Sequence, residues 1–129
     1  VEKMRTVVVV DDDSLMREML KVILQSANYQ VLGEAANGEM AIERCSNLKP
    51  DLVLLDINMP KIDGLQALQE IRKLCPATKV MMVSADATMG RVAEAIQKGA
   101  SGFVVKPLNA ASVLDRIENC FKGELRNDR

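Results

Sequence analysis

TVVVVDDDSLMR, residues 6–17, sets the fold. Four valines in a row are what a strand covered on both faces requires, because a half-exposed strand alternates apolar and polar residues. The run stops in three acids. From there the apolar residues recur at helical spacing: Leu15, Met19 and Ile23 mark one stripe, with Met16, Leu20 and Leu24 beside it.

The same alternation repeats along the chain. Apolar runs at residues 6–11 (TVVVVD), 30–35 (QVLGEA), 51–56 (DLVLLD), 79–85 (KVMMVSA) and 102–106 (GFVVK) read as five strands. Between and after them lie helical patterns marked by Ala41, Cys45 and Leu48, by Leu65, Leu68, Ile71 and Leu74, by Val92, Ala93 and Ile96, and by Ala110, Val113, Leu114, Ile117 and Phe121. Helix starts carry capping residues. Asp63 with Gln66 three positions later resembles a capping box, and Asn37, Thr88 and Asn109 are caps for helices two, four and five. Strand alternating with helix implies a parallel sheet with helices on both faces, joined by right-handed crossovers. The 129 residues suit one domain, with a core over residues 5–122 and a polar tail at 123–129. Gly90 costs helix four about 1 kcal/mol relative to alanine, which makes it the least stable helix expected.

Composition excludes several classes. A net charge of -1 leaves no footprint for nucleic acid or an anionic membrane. No apolar run approaches the roughly 18 residues that span a bilayer, and 7–10 is too short for a signal peptide core, so the expected location is cytoplasmic. The three cysteines, Cys45, Cys75 and Cys120, fit neither a disulfide framework nor a zinc pattern and read as helix-borne thiols. The absence of histidine removes the Ser-His-Asp triad and the usual zinc ligands. Chemistry must then run on carboxylates, hydroxyls, lysine and an oxygen-bound metal.

Open α/β sheets bind ligands beyond the carboxyl ends of their strands. Strand one ends in Asp11, Asp12 and Asp13, strand three in Asp56, strand four in Ser84 and strand five in Lys106. Strand two ends in Ala35 and Ala36, with nothing chemical to offer. Two carboxylates about 4 Å apart repel by roughly 4 kcal/mol at an effective dielectric of 20, so acids gathered at one edge call for a shared cation. An all-oxygen set favours a hard ion such as Mg2+, and Mn2+ would suit the same oxygens. The plainer reading, that such acids cap the next helix, suits Asp13 or Ser14. Lys106 can pair with a phosphoryl oxygen and Ser84 can donate to another.

VVVVDDDSLMR (7–17), LLDINMPKIDG (54–64), VMMVSA (80–85) and GFVVKP (102–107), in that order and spacing, resemble the receiver domain of two-component response regulators, and among its members the CheY-like single-domain chemotaxis regulators. The resemblance covers about residues 5–122. It implies a flavodoxin-like, doubly wound five-stranded parallel sheet of order 2-1-3-4-5 with five helices, an order recognised through the family and not read from periodicity.

The resemblance also implies roles. Asp56 matches the phosphoacceptor, taking its phosphoryl group from a sensor histidine kinase or a phosphotransfer protein. Asp12 matches the direct Mg2+ ligand, Asp11 the acid acting through water, and Asn58 the residue whose backbone carbonyl completes the metal site. Ser84 and Lys106 match the hydroxyl and lysine that hold phosphoryl oxygens, and the Lys106–Pro107 bond is typically cis. Asn58 and Asp86 stand where the family tunes dephosphorylation. Ser84 and Phe103 stand at the switch positions. Output in the family runs through helix four, strand five and helix five to a protein partner, with no direct nucleic-acid or membrane contact.

Three rivals compete. Asp11-x-Asp13-Ser14 after an apolar strand resembles the first motif of haloacid-dehalogenase-type phosphatases, in which Asp11 would be the nucleophile and Asp13 the acid. Against it, no acidic pair follows Lys106 and there is no room for a cap domain. A second reading makes the chain the receiver of a longer, DNA-binding regulator. A flavin module of the same topology is weak, for want of a Ser/Thr-rich phosphate loop after strand one.

Overall fold

A computed structural model describes the backbone of residues 4–127 and the side chains of residues 4–122. The chain alternates throughout: β1 (Thr6–Val10), α1 (Ser14–Ser26), β2 (Gln30–Ala35), α2 (Gly38–Leu48), β3 (Leu52–Leu55), α3 (Gly64–Leu74), β4 (Lys79–Ser84), α4 (Met89–Gln97), β5 (Gly102–Val105) and α5 (Ala110–Asn127). Residues 128–129 of the expected tail lie outside the described residues, while the backbone of 123–127 continues α5. All strands pair in parallel, in the order β2-β1-β3-β4-β5.

The sheet divides the core in two. Val8, Val10, Val53, Leu55, Val80 and Met82 face α2, α3 and α4. Val7, Val9, Leu52, Leu54, Met81 and Val83 face α1 and α5. Successive residues of β1 therefore go to opposite layers, both apolar, and this is why its valines are uninterrupted. β3 follows the same rule. β5 does so only in part, because Val105 at the sheet edge is half exposed.

The helices bury narrower stripes than their apolar residues suggest. In α1 the sheet takes Leu20 and Leu24, flanked by Met16 and Ile23. Leu15 and Met19, which share one apolar stripe with Ile23, are 68 % and 41 % exposed. Leu48, Leu74 and Ile96 also face outward at helix ends, and Ala95 is the buried residue of α4. Periodicity finds an apolar sector but not which of two adjacent rows meets the sheet.

Capping follows the sequence with one exception. Asp13, Asn37, Asp63 and Asn109 accept from the amides of Leu15, Met40, Gln66 and Ser112. Thr88 stands at the cap of α4, but its hydroxyl makes no capping bond. A helix with one buried residue, an uncapped start and a glycine whose Cβ position meets open space has little holding it. Amide exchange will be faster through α4 than through Val113–Phe121 of α5, and Gly90→Ala will slow it. Slower exchange in α4 than in α5 would sink this expectation.

Gly64 opens α3 with its amide donating to the Ile57 carbonyl at 2.8 Å. A Cβ here would overlap the Asp56 carbonyl oxygen and lie 2.6 Å from Ile57 Cα. Both are backbone atoms and cannot swing aside. Gly64→Ala will destabilise the chain by roughly 2–4 kcal/mol and displace the end of β3. Urea unfolding reads this directly, and a loss under about 0.5 kcal/mol would contradict it. No helix among the described residues is long and apolar enough to cross a membrane.

Candidate functional site at the carboxyl edge of the sheet

Three residues leave their strands by one shared device. The Asp11 amide donates to the Ala35 carbonyl at 3.1 Å, the Asp56 amide to Val10 at 3.1 Å, and the Lys106 amide to Ser84 at 3.0 Å. Each acceptor is the last residue of the neighbouring strand. The backbone of each site residue thus adds one rung to the ladder, so its side chain starts from a fixed point while the chain beyond turns away.

Their side chains converge. Lys106 Nζ donates to Asp11 Oδ2 at 2.8 Å and to Asp56 Oδ2 at 3.3 Å. Asp11 Oδ1 accepts from the Asp13 amide at 2.9 Å, and Asp56 Oδ1 from the Asn58 amide at 3.3 Å. Carboxylate oxygens of Asp11, Asp12 and Asp56 lie within 4.8 Å of one another. Asp11 and Asp56 are buried while Asp12 is exposed, so the cluster opens to solvent on the Asp12 side.

One ammonium faces three carboxylates, which leaves excess negative charge in a half-dry place. Burial pushes the Asp56 carboxyl above its ordinary range, the Asp11 carboxylate adds to this, and Lys106 offsets only part of it. For Lys106 burial works against the charge, but its hydrogen bonds and charge pairing with Asp11 and Asp56 prevail and raise its pKa. Such an all-oxygen, under-neutralised cluster can hold a metal ion.

Ser84 is fully buried at the end of β4, and its hydroxyl accepts from the Asp86 amide at 3.1 Å. The Asp86 carboxylate pairs with Arg91 of α4 at 3.4 Å. Phe103, beside Met82 in register, is buried in the layer that holds Ile57 and Ala95. Asn58 is exposed just past Asp56. The Lys106–Pro107 bond is cis, as the resemblance implied.

Two residues of the site's support escaped the sequence reading. Arg17 Nη1 donates to the Asp11 carbonyl at 2.7 Å, and its Nε to Glu34 Oε1 at 2.7 Å. β2 therefore does contribute a side chain, that of Glu34, beside the Ala35 carbonyl that holds the Asp11 amide. The available signal was a charged residue inside an otherwise apolar strand. Asp13 caps α1 through its Oδ1, as its plainer reading held. The cysteines are free, and burial pushes the Cys45 thiol up to about 12, which makes it inert near neutrality.

A family model for the response regulator receiver domain matches residues 7–118. Chemotaxis protein CheY of Listeria monocytogenes is 44 % identical over 119 residues, covering 92 % of this chain and all of the relative. CheY of Thermotoga maritima is 42 % identical over 118 residues, covering 92 % and 98 %. Among solved structures, a CheX–CheY–BeF3–magnesium complex from Borrelia burgdorferi superposes with a TM-score of 0.89 at 36 % identity, covering 91 % of this chain and 89 % of that one.

Proposed function

This chain belongs to the response regulator receiver domain family, a phosphoacceptor signalling switch of two-component systems, and from that premise we propose that Asp56 is the residue that takes the phosphoryl group. The observation that carries this reading is the Asp56 carboxylate itself. It is 5 % exposed, at the end of a central strand, 3.3 Å from the Lys106 ammonium and clustered with Asp11 and Asp12.

A carboxylate oxygen of Asp56 attacks the phosphorus of a phosphohistidine on a sensor kinase or phosphotransfer protein. The P–N bond breaks, the electron pair stays on the imidazole nitrogen, and that nitrogen takes a proton from solvent. The chain has no histidine and so cannot itself be the phosphohistidine donor. Lys106, already on Asp56, holds one developing phosphoryl charge, and the Ser84 hydroxyl donates to another oxygen after leaving the Asp86 amide. Asp11, Asp12, Asp56 and the Asn58 carbonyl are the oxygens that would hold Mg2+, or Mn2+ in its place. When bound, the ion supplies charge neutralisation to the transferring group. The presence of magnesium and BeF3 in the Borrelia complex supports this assignment.

Asn58 and Asp86 flank the site and set access of water to the acyl phosphate. Ser84 and Phe103 form the switch, and the α4–β5–α5 face meets a downstream protein partner, with no direct nucleic-acid or membrane contact. Residues 1–129 are read as one receiver unit working in the cytoplasm. The test is intact mass after incubation with a small acyl-phosphate donor. One added phosphoryl group that requires Mg2+ and vanishes with chelator supports the reading. Donor turnover without a stable adduct, dependent on Asp11, would replace it with the phosphatase reading.

A further inference from the structure

The Asp11 carbonyl lies beyond the last residue of β1, where the chain turns towards α1. It is taken by Arg17, which is itself held from two directions. Its amide is fixed on the Asp13 carbonyl at 3.1 Å by the helix, and its Nε is fixed on Glu34. Glu34 sits opposite Val9 in register and accepts from Lys21 Nζ at 2.7 Å through its other oxygen. Hydrogen bonds from Lys21 and then Arg17 hold the Glu34 carboxyl below its ordinary range, so it stays charged. The guanidinium is thus a rigid fork between the neighbouring strand and one carbonyl of the acidic turn.

That carbonyl matters because a peptide unit is planar. Holding the Asp11 oxygen restricts rotation of the plane joining Asp11 to Asp12, and so narrows the directions in which both side chains leave the backbone. We propose that Arg17 is a positioning residue for the metal-holding turn, aiming the Asp11 and Asp12 carboxylates through the Asp11 carbonyl while touching neither carboxylate. The proposal rests on the reading of Asp11 and Asp12 as metal ligands.

Charge and positioning predict opposite signs, which makes the idea decidable. A cation beside an acidic cluster repels a second cation, so by charge alone its loss would tighten metal binding. If Arg17 aims the ligands, its loss loosens binding. Mg2+ binding is measured by backbone amide shifts of wild type, Arg17→Met, Arg17→Lys and Lys21→Met, with melting temperature recorded beside it. Arg17→Met will raise the Mg2+ Kd about tenfold. Arg17→Lys keeps the charge but loses the fork, and will raise it roughly threefold or more. Lys21→Met removes an ion pair of the same network without touching the Asp11 carbonyl, and will leave Kd within about twofold of wild type.

An unchanged or lower Kd in Arg17→Met overturns the proposal. So does full recovery with lysine, or an equal rise in Lys21→Met, which would mark general loosening. Wild type that binds no Mg2+ overturns the ligand reading and this proposal with it. Wild type that binds Mg2+ but gains no phosphoryl mass would sink the phosphoacceptor reading alone, and the Kd series would still decide the role of Arg17.

Discussion

Asp56→Asn will take up no phosphoryl group from an acyl-phosphate donor and, with the metal chelated, will melt above the wild type at neutral pH. The first half follows from nucleophilicity, since an amide oxygen cannot form the acyl phosphate. The second follows from the crowding of charge. Two carboxylates at this spacing repel by roughly 4 kcal/mol at an effective dielectric of 20. The substitution removes that repulsion and forfeits a charge-assisted bond to Lys106 worth about 1.5–3 kcal/mol. A net gain of roughly 1–2.5 kcal/mol remains. The pH dependence has a definite sign. The Asp56 pKa in the folded chain lies above its ordinary 3.8, so the folded chain holds that proton more tightly than the unfolded chain does. The stabilising contribution is complete below that ordinary value and is lost as pH rises through the raised folded value. The variant's advantage is therefore absent in acid, grows across that window and is full above it. Mg2+ will narrow it by stabilising the wild type through binding. A variant that melts below wild type in chelator at neutral pH would refute the account of charge at this edge.

A functional site held together against its own repulsion leaves a trace in sequence. The acids at residues 11–13 and at 56, and Lys106, stood out because each interrupts or follows a buried apolar run where a polar residue is out of place. β1, β3 and β4 were legible for a related reason: burial on both faces writes itself as continuous valine, leucine and methionine. Less visible was anything set by the angle between a helix and the sheet. α1 carries two apolar rows, Met16–Leu20–Leu24 and Leu15–Met19, and only packing decides that the second faces outward. Thr88 shows the same limit for caps, since position and residue type were right but no capping bond forms. Arg17 and Glu34 were missed because their meaning is relational. Each reads as an ordinary surface charge until β2 is placed beside β1, and only then does a guanidinium have both a carboxylate and a strand-end carbonyl within reach.

Lys106→Met should expose the other side of the same balance. The ammonium lies 2.8 Å from Asp11 and 3.3 Å from Asp56 and is the cation directly paired with them among the described residues. Its removal leaves two buried carboxylates facing each other. Breaking a buried pair costs about 3–5 kcal/mol. Access to solvent through the Asp12 side, and the freedom of Asp56 to take up a proton, reduce this to roughly 2–4 kcal/mol in chelator. The pKa of Lys106 is raised in the folded chain, so its contribution is complete below 10.5 and is lost only as pH climbs through the raised value. The variant's deficit will therefore span the neutral range, shrink in acid as Asp56 protonates, and shrink again in strong alkali as the wild type loses its own ammonium. Mg2+ will rescue stability but not rate. The ion restores charge balance among the acids, whereas the phosphoryl oxygen that Lys106 would hold is left without its donor. Loss of one preorganised donor of this kind lowers a transfer rate about 100- to 1000-fold. Phosphoryl uptake by mass at saturating Mg2+, set beside melting in the same buffer, separates the two effects. If Mg2+ restored both together, Lys106 would be only a counter-ion for the acids, with no part in the transfer.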